Sequence, residues 1–244
     1  MIMKKIILST FFVALFVSAC TFSKTKMSKV RKLAVVSMFC AKQVDNNGSL
    51  VFNLMELATK DSLKLDTFAE RLKNRAIADL FTGGNFTVIH PDSITSHPDY
   101  HSLSTSLYST TSFFGFASPK GYKAVNSLDG SNFPKLRKMY PEADAFAFIR
   151  VNYHFQKRAS VGSGMLSGAV GFASICCTYE VIVYSKEGKK ISYDNTLTYS
   201  DLFPFMFTST MSSATAKYID QADNSCYGRM SRRIKRHLAS LEGK

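Results

Sequence analysis

The stretch Leu33-Ala-Val-Val-Ser-Met-Phe-Cys40 decides the fold class of this chain, because it is a continuous apolar run rich in residues that favour strands. A run of this length suits a strand that is buried on both faces of a sheet. We therefore predict that residues 32–44 form the first strand of the core.

The next clear element is a helix over residues 66–81, in which apolar side chains recur at every fourth position. The stripe consists of Phe68, Leu72, Ala76 and Leu80. The pair Gly83-Gly84 predicts the end of this helix, and residues 85–89 are typical of a strand. The sequence up to residue 89 is thus expected to contain a β-α-β unit.

The second half of the chain predicts more strands and two more helices. Strands are indicated at residues 145–155, 177–185 and 190–199. A turn at 186–189 joins the last two, and helical patterns cover 132–140 and 215–241. The expected fold class is α/β, with a mixed β-sheet and helices packed on it, in a single domain over residues 30–244.

Residues 90–130 depart from this regular alternation. Serine, threonine and tyrosine dominate as far as Ser112, and Phe113-Phe-Gly-Phe116 follows. About forty weakly patterned residues are unusual inside a compact domain. We treat them as an irregular insertion, formed either by a long functional loop or by short helices.

The N-terminus has the pattern of an export signal. Residues 1–5 are short and basic, and residues 6–17 are almost entirely apolar. An apolar run of twelve residues is too short to cross a membrane, which takes about 20 helical residues. The pattern therefore predicts a signal peptide that is cleaved.

The motif Val17-Ser-Ala-Cys20 follows the apolar run and resembles the bacterial lipobox, in which the cysteine thiol receives a diacylglyceryl group before cleavage. The resemblance implies a lipoprotein signal peptide at residues 1–19, lipidation of Cys20 with palmitate-type chains, and a short polar tether at residues 20–29. Thr21 stands where an inner-membrane retention residue would be aspartate, which favours the outer membrane. The alternative is an ordinary secretory signal in which Cys20 is incidental.

The chain is strongly basic, with 31 lysines and arginines, 18 aspartates and glutamates, and a formal net charge of +13. In an exported protein this excess indicates anionic lipid headgroups or acidic envelope polymers as partners, and no nucleic acid. A basic cluster falls on the last predicted helix: Arg229, Arg232, Arg233, Lys235, Arg236 and His237. A solvated basic face without a partner is the alternative to lipid contact.

Four cysteines remain once Cys20 is acylated. They are Cys40, Cys176, Cys177 and Cys226. An oxidising compartment permits disulfides, but Cys176 and Cys177 point to opposite faces of a strand and are poorly placed to bond to each other. Their spacing offers no Cys-x₂-Cys zinc motif. We favour buried thiols.

Three histidines in a short stretch are weak candidates for a metal site. His90, His97 and His101 are interspersed with Asp92 and Asp99, and imidazole with carboxylate is a ligand set that suits zinc. The same density of proline, aspartate and serine is typical of turns, which we favour.

Residues 161–177 carry no charge, and Gly164 and Gly168 have the GxxxG spacing of closely packed membrane helices. The run is short for a spanning helix, so we favour a flexible apolar loop between two strands. An exposed apolar loop usually contacts a membrane or a partner. The expected contact residues are Gly164, Met165, Leu166, Gly168 and Phe172.

The sequence contains none of the catalytic signatures GxSxG, HExxH or GxxxxGKS/T. We therefore expect a protein that is not an enzyme and uses no cofactor. The alternative from another class is a metal-dependent enzyme that acts on envelope material through the three histidines.

Four stretches carry a family resemblance. They are Leu33-Ala-Val-Val-Ser37, Leu80-Phe-Thr-Gly-Gly-Asn-Phe-Thr-Val-Ile89, Ala143-Asp-Ala-Phe-Ala-Phe148 and Tyr179-Glu-Val-Ile-Val-Tyr-Ser-Lys-Glu-Gly-Lys189. In this order they resemble envelope lipoproteins with a domain similar to the N-terminal domain of TolB and to the CsgG-like periplasmic part of the curli secretion channel. The resemblance implies a periplasmic domain that binds or scaffolds another envelope protein or itself. It also implies an alternative, a subunit of an oligomeric outer-membrane secretion channel whose residues 161–177 face the membrane.

Overall fold

The computed structural model describes residues 21–41, 65–105, 116–161, 170–206 and 211–242. Within these residues, eight strands form one sheet. The strands are β1 (Thr21–Phe22), β2 (Lys32–Ala41), β3 (Thr87–Val88), β4 (Phe116–Ala117), β5 (Ala145–Val161), β6 (Val170–Ser185), β7 (Lys190–Tyr199) and β8 (Phe203–Met206).

The sheet is mixed, as the sequence predicts. Its strand order is β1-β7-β6-β5-β2-β3, with β4 added beside β2 and β8 beside β6. Strand β2 runs parallel to β5 and to β3, whereas β5, β6 and β7 are antiparallel neighbours. The parallel pairing of β2 with β3, which follow each other across a helix, confirms the expected β-α-β unit.

The described helices agree with the predicted ones to within a few residues, and three short helices are added to them. They are α1 (Lys24–Met27), α2 (Leu65–Arg75) with a π-helical continuation at Ala76–Leu80, α3 (Pro91–Thr95), a 3-10 helix (Pro98–Ser102), α4 (Asn132–Met139) and α5 (Met211–Glu242). In the part of the chain that the structure describes, none of these helices has the length and hydropathy needed to cross a membrane.

Strand β5 shows how the sheet separates two cores. Ala147 and Ile149 belong to a large core that includes side chains of α2 and α5. Phe146 and Phe148 point to the opposite face and join a smaller core with side chains of α3 and α4. The sheet is therefore the middle layer, covered by helices on both faces, and the expected α/β fold is confirmed.

Residues 21–30 do not form the free tether that the sequence suggested. Thr21 and Phe22 pair antiparallel with Tyr193 and Ser192 of β7 and so extend the sheet by one short strand. Met27 of α1 and Val30 are only 3% and 4% exposed and belong to the large core. Burial of these apolar side chains, which the polar composition of the segment obscures, holds it on the domain.

The irregular insertion at 90–130 contains short helices, the second of the two alternatives, over residues 91–102. Tyr100 of the 3-10 helix is fully buried, and its hydroxyl donates to the Val36 carbonyl at 2.8 Å. Ile94 of α3 is also fully buried. These helices therefore cover one face of the sheet, while residues 106–115 lie outside the described residues.

The flexible loop predicted for 161–177 is wrong over its second half. Strands β5 and β6 pair from Ala145↔Ser185 to Val161↔Val170, with one shift of register between Lys157 and Ala159, so residues 170–177 belong to a long hairpin. Strand β8 pairs with the start of β6, which supplies this part of the strand with a second neighbour. Glycine density concealed the strand, because glycine weakens strand propensity without preventing pairing.

Replacing Gly188 with alanine is expected to destabilise the protein by about 1–2 kcal/mol or more. Gly188 lies in the β6–β7 turn at φ +77°, where L-residues are strained, and an added Cβ would lie 2.9 Å from Cδ2 of Phe133. Urea unfolding of the full chain, followed by circular dichroism, measures the change. Gly130→Ala is the matched control, since a Cβ at Gly130 meets no atom within 4 Å. Equal stability of the two variants would contradict the prediction.

Candidate functional site

A groove that we call the basic groove lies between residues 195–197 of β7 and the C-terminal half of α5. It is open to solvent and has a volume of about 660 Å³. Its α5 wall is formed by Arg229, Arg232, Arg233, Arg236 and His237. All five of these side chains belong to the basic cluster predicted on the last helix, and the structure brings them to one surface.

The apolar side of α5 determines which way these basic residues face. Buried side chains recur at every fourth position along the helix and pack on the sheet. They are Ala222, Cys226, Met230, Ile234 and Leu238. Because Arg229, Arg232 and Arg236 lie off this stripe, the structure leaves all three exposed.

Three of the six residues of the basic cluster pair with carboxylates. Asp194 of β7 is almost fully buried, and its two oxygens lie 3.1 Å from Nε of Arg233 and 3.3 Å from Nδ1 of His237. Arg233 also donates from Nη1 to the Asn195 carbonyl at 3.0 Å. Lys235 pairs with Asp79 on the π-helical turn. These three basic residues therefore hold α5 in place.

The other half of the cluster has no such partner. Arg229, Arg232 and Arg236 have no carboxylate within 4.0 Å among the described residues. They are three and four positions apart, so they lie on one stripe of the helix. The basic groove thus presents three exposed guanidinium groups beside a carboxylate that is already neutralised.

The basic groove lies next to the start of the folded chain. The ring of Phe22 stacks on the ring of His237 with centroids 4.6 Å apart and an interplanar angle of 20°. Cys20 precedes Phe22 by two residues, and two extended residues span at most about 7 Å. The residue that resembles a lipid attachment site is therefore tethered within a short reach of the groove.

A second polar cluster surrounds Asp223 of α5, whose side chain is 3% exposed. Its Oδ1 accepts hydrogen bonds from the hydroxyls of Tyr153 at 2.9 Å and Tyr179 at 2.8 Å. Its Oδ2 lies 2.6 Å from Nη1 of Arg75 and 3.6 Å from Nη1 of Arg71. Asp223 thus joins β5, β6 and α2 to α5.

The electrostatics of the Asp223 cluster indicate a structural role. Burial, reinforced by the nearby Asp223 charge, raises the pKa of Tyr153 and of Tyr179 well above the ordinary value for a phenol. Both hydroxyls therefore remain protonated donors. A neutral phenol without access to solvent is a poor acid, base or nucleophile.

Asp79 forms a third cluster, where the π-helical turn meets α5. It accepts hydrogen bonds from Lys235 and Tyr227 and, at 3.0 Å, from the hydroxyl of Ser231. These donors, Lys235 first, lower the pKa of the Asp79 carboxyl below its ordinary value. Asp79 therefore stays ionised and fixes the end of α5 that carries the basic groove.

The three histidines proposed as metal ligands are not brought together. Nδ1 of His90 accepts from the Asp92 backbone N–H at 3.3 Å, and Nδ1 of His97 accepts from that of Asp99 at 3.2 Å. Each caps the N-terminus of a short helix, while His101 contacts the Tyr100 ring. Among the residues that the structure describes, no group of three or more His, Cys, Asp or Glu side chains could hold a metal ion.

Of the five expected contact residues, only Phe172 is described. It lies on β6, pairs with Pro204 of β8 and has 44% of its surface exposed. The other four, Gly164, Met165, Leu166 and Gly168, lie outside the described residues. Phe172 therefore remains available as a contact on the long hairpin.

Cys40, Cys176, Cys177 and Cys226 are buried free thiols, as the sequence predicted. Cys226 of α5 donates to the carbonyls of Cys177 at 3.2 Å and Thr196 at 3.1 Å. Burial raises the pKa of Cys177 well above its ordinary value. Cys177 is thus protonated, and the buried thiols pack as small apolar groups.

The sequence analysis missed the acidic partners Asp194 and Asp223. A signal for each is present in the pattern. Asp194 occupies an inward position of β7, in the same alternation as the buried Ser192 and Thr196. Asp223 stands beside Ala222 on the buried side of α5. A carboxylate at an inward position requires a buried partner.

Replacing Asp223 with asparagine is expected to lower the free energy of unfolding by about 3 kcal/mol or more, because Arg75 would keep a half-buried charge without its carboxylate. Asp220→Asn is the matched control. Asp220 lies on α5, as Asp223 does, and pairs with Arg71 of α2. Its side chain is 45% exposed, so the loss of its charge should lower the free energy of unfolding by less than about 1 kcal/mol. Urea unfolding measures the free energy of unfolding of both variants. An equal loss in the two would argue against the buried cluster as the main contact of α5.

No family model matches the sequence, and no curated protein is significantly similar to it. Solved structures with a partly similar fold include three bacterial proteins. A neuraminyllactose-binding hemagglutinin homolog from Helicobacter pylori has a TM-score of 0.40 and 12% identity, covering 88% of this chain and 89% of that one. The hypothetical protein CT253 from Chlamydia trachomatis has a TM-score of 0.35 and 10% identity, covering 86% and 98%.

The third structure is the lipoprotein GNA1162 from Neisseria meningitidis, with a TM-score of 0.29 and 9% identity, covering 82% of this chain and 99% of that one. At these TM-scores the likenesses carry no argument about function. They also do not confirm the resemblance to TolB or to the curli secretion channel, which stays a prediction.

Proposed function

We propose that this chain is a lipid-anchored protein of the bacterial envelope, attached to the outer membrane through Cys20. Its folded domain binds another envelope protein or a second copy of itself and performs no catalysis. The lipobox-like Val17-Ser-Ala-Cys20 supports the attachment, and Thr21 in place of aspartate supports the outer membrane over the inner.

The observation that carries this proposal is the pairing of β1 with β7. Thr21, the residue after the proposed attachment point, already lies opposite Tyr193 in the sheet. A domain whose sheet begins one residue after an acylated cysteine stays against the bilayer, because no flexible linker separates the two. Such an arrangement suits a protein that works at the membrane surface.

The polar clusters around Asp223 and Asp79 support a non-enzymatic role. The phenols around Asp223 are held protonated by burial, and the carboxylate of Asp79 is occupied by Lys235, Tyr227 and Ser231. Both clusters join α5 to neighbouring elements. Their donors and acceptors are used inside the protein, where they stabilise the fold.

Phe172 supports binding of a protein partner. An aromatic side chain that is 44% exposed on a long hairpin has the character of an interface residue. A second copy of this chain is included among the partners, since homo-oligomers are common.

The same hairpin favours a second candidate function, a subunit of an oligomeric secretion channel. Its strands reach Val161 and Val170, and the stretch from 161 to 177 carries no charge. This candidate requires ring-shaped oligomers in detergent, visible by electron microscopy. A monomer in detergent and in lipid would exclude it.

Replacing Cys20 with alanine is expected to abolish incorporation of an alkyne-labelled palmitate in a bacterial host. Several acyl chains hold a protein on a bilayer, since each buried CH₂ contributes about 0.8 kcal/mol. Cys176→Ala is the matched control, because Cys176 is a buried thiol of the mature domain and should leave labelling unchanged. Labelling that persists without Cys20 would contradict the anchor.

A photoreactive phenylalanine analogue at Phe172 is expected to give one discrete crosslinked species in living cells. Its mass distinguishes a covalent dimer of this chain from an adduct with another envelope protein. The same analogue at Leu128, which is 68% exposed and lies beside the β6–β7 turn, at the end of β6 opposite Phe172, serves as the control. Equal capture at both positions, or capture at neither, would argue against an interface at the hairpin.

A further inference from the structure

We propose that the basic groove is a docking surface for the phosphate groups of anionic lipid headgroups in the membrane that holds the Cys20 lipid. The inference rests on the proposed function, because it assumes that the domain is anchored there. It adds to that function a defined orientation, in which α5 faces the bilayer.

The chemistry of the surface fits phosphate. Arg229, Arg232 and Arg236 present planar guanidinium groups, each with five N–H donors that match phosphate oxygens. All three are exposed, and no described carboxylate lies within 4.0 Å of them. Their positions on one stripe of α5 allow them to meet one flat surface together.

The opposite wall of the groove does not cancel this charge. Asp194 is the carboxylate on the adjacent part of β7, and it is occupied by Arg233 and His237 at 3.1 and 3.3 Å. The surface therefore keeps an excess of positive charge. Surface charge of this kind attracts anionic leaflets within about one Debye length, close to 8 Å at physiological salt.

The position of the groove relative to the anchor selects the membrane as the partner. His237 on the groove wall stacks on Phe22, and Phe22 is two residues from Cys20. A lipid on Cys20 brings this edge of the domain to the bilayer before any other contact forms. The arginines would then meet headgroups at a high effective concentration.

The contact is electrostatic and does not require insertion into the bilayer. Among the described residues, the large apolar side chains that are strongly exposed lie outside α5. One of them, Leu197, lies on the β7 wall of the groove, and the others are Leu128, Phe172, Tyr199 and Leu202. Phosphate contacts made by exposed arginines weaken as salt rises. This property separates headgroup docking from apolar insertion in an experiment.

The absence of tryptophan from the chain allows a single-fluorophore test. Ala239 is exposed on α5, one turn beyond Arg236, so Ala239→Trp places a reporter beside the groove. The full-length lipidated variant is reconstituted in vesicles of phosphatidylcholine, with or without phosphatidylglycerol. Both preparations carry bromine on the acyl chains at the same density, which quenches tryptophan near the bilayer.

Quenching of the Ala239→Trp fluorophore is expected to be stronger with phosphatidylglycerol and to fall to the phosphatidylcholine level at 1 M salt, where the Debye length is about 3 Å. The combined substitution Arg229→Gln, Arg232→Gln and Arg236→Gln should remove the difference between the two vesicles. A charge-matched control, Lys120→Gln, Arg137→Gln and Lys138→Gln, removes three exposed basic residues outside the groove and should preserve it. Leu128→Trp reports the opposite layer and should show no dependence on phosphatidylglycerol.

Equal quenching in the two vesicle types, or a difference that survives the triple substitution in the groove, would overturn the proposal. Failure of the anchor is recognised separately, because the intact mass of the protein shows whether Cys20 carries acyl chains. If it carries none, the same fluorophore on the unacylated mature chain still reports binding to phosphatidylglycerol vesicles. The groove is therefore tested whether or not the proposed anchoring holds.

Discussion

The structure depends on one buried carboxylate, that of Asp223. An unpaired charge in this position would cost several kcal/mol, so α5 can dock only where donors meet both of its oxygens. Tyr153 and Tyr179 reach one oxygen from the sheet, and Arg75 reaches the other from α2. A shift of α5 by one turn, about 5.4 Å, would break all three contacts at once. One side chain thus fixes the long helix against the sheet and against its neighbouring helix α2.

The docking of α5 at Asp223 determines which of the basic residues, two to four turns further along the helix, meet a carboxylate. At that distance the helix brings Arg233 and His237 to Asp194, and Lys235 to Asp79. Only three of the six basic residues that crowd the helix are paired with carboxylates in this way. Which basic residues of α5 form ion pairs therefore depends on the number and position of the carboxylates that face the helix, since the arginines themselves are chemically alike.

The sequence predicts the elements well and their partners poorly. Alternation in β5 and the four-residue spacing in α2 reveal buried faces, because each pattern is local. The β1 segment and the continuation of β6 through 170–177 depend on a strand far away in the sequence, and their polar or glycine-rich composition hides them. For the same reason the sequence predicts the basic cluster. Only the fold shows which of its side chains pair with Asp194 or Asp79 and which face solvent.

The pairing of β1 with β7 links this division to the proposed anchor. A lipid at a single point lets a domain rotate freely above the bilayer. The anchor alone would therefore hold the domain at the membrane without fixing its orientation. Stacking of Phe22 on His237 places the attachment point at the edge where the uncommitted arginines lie. Two contacts on one edge would restrict rotation more than either alone, since the second forms at an effective concentration set by the first. The hairpin that carries Phe172 would then be held at a fixed angle to the membrane and would be presented to a partner in one geometry.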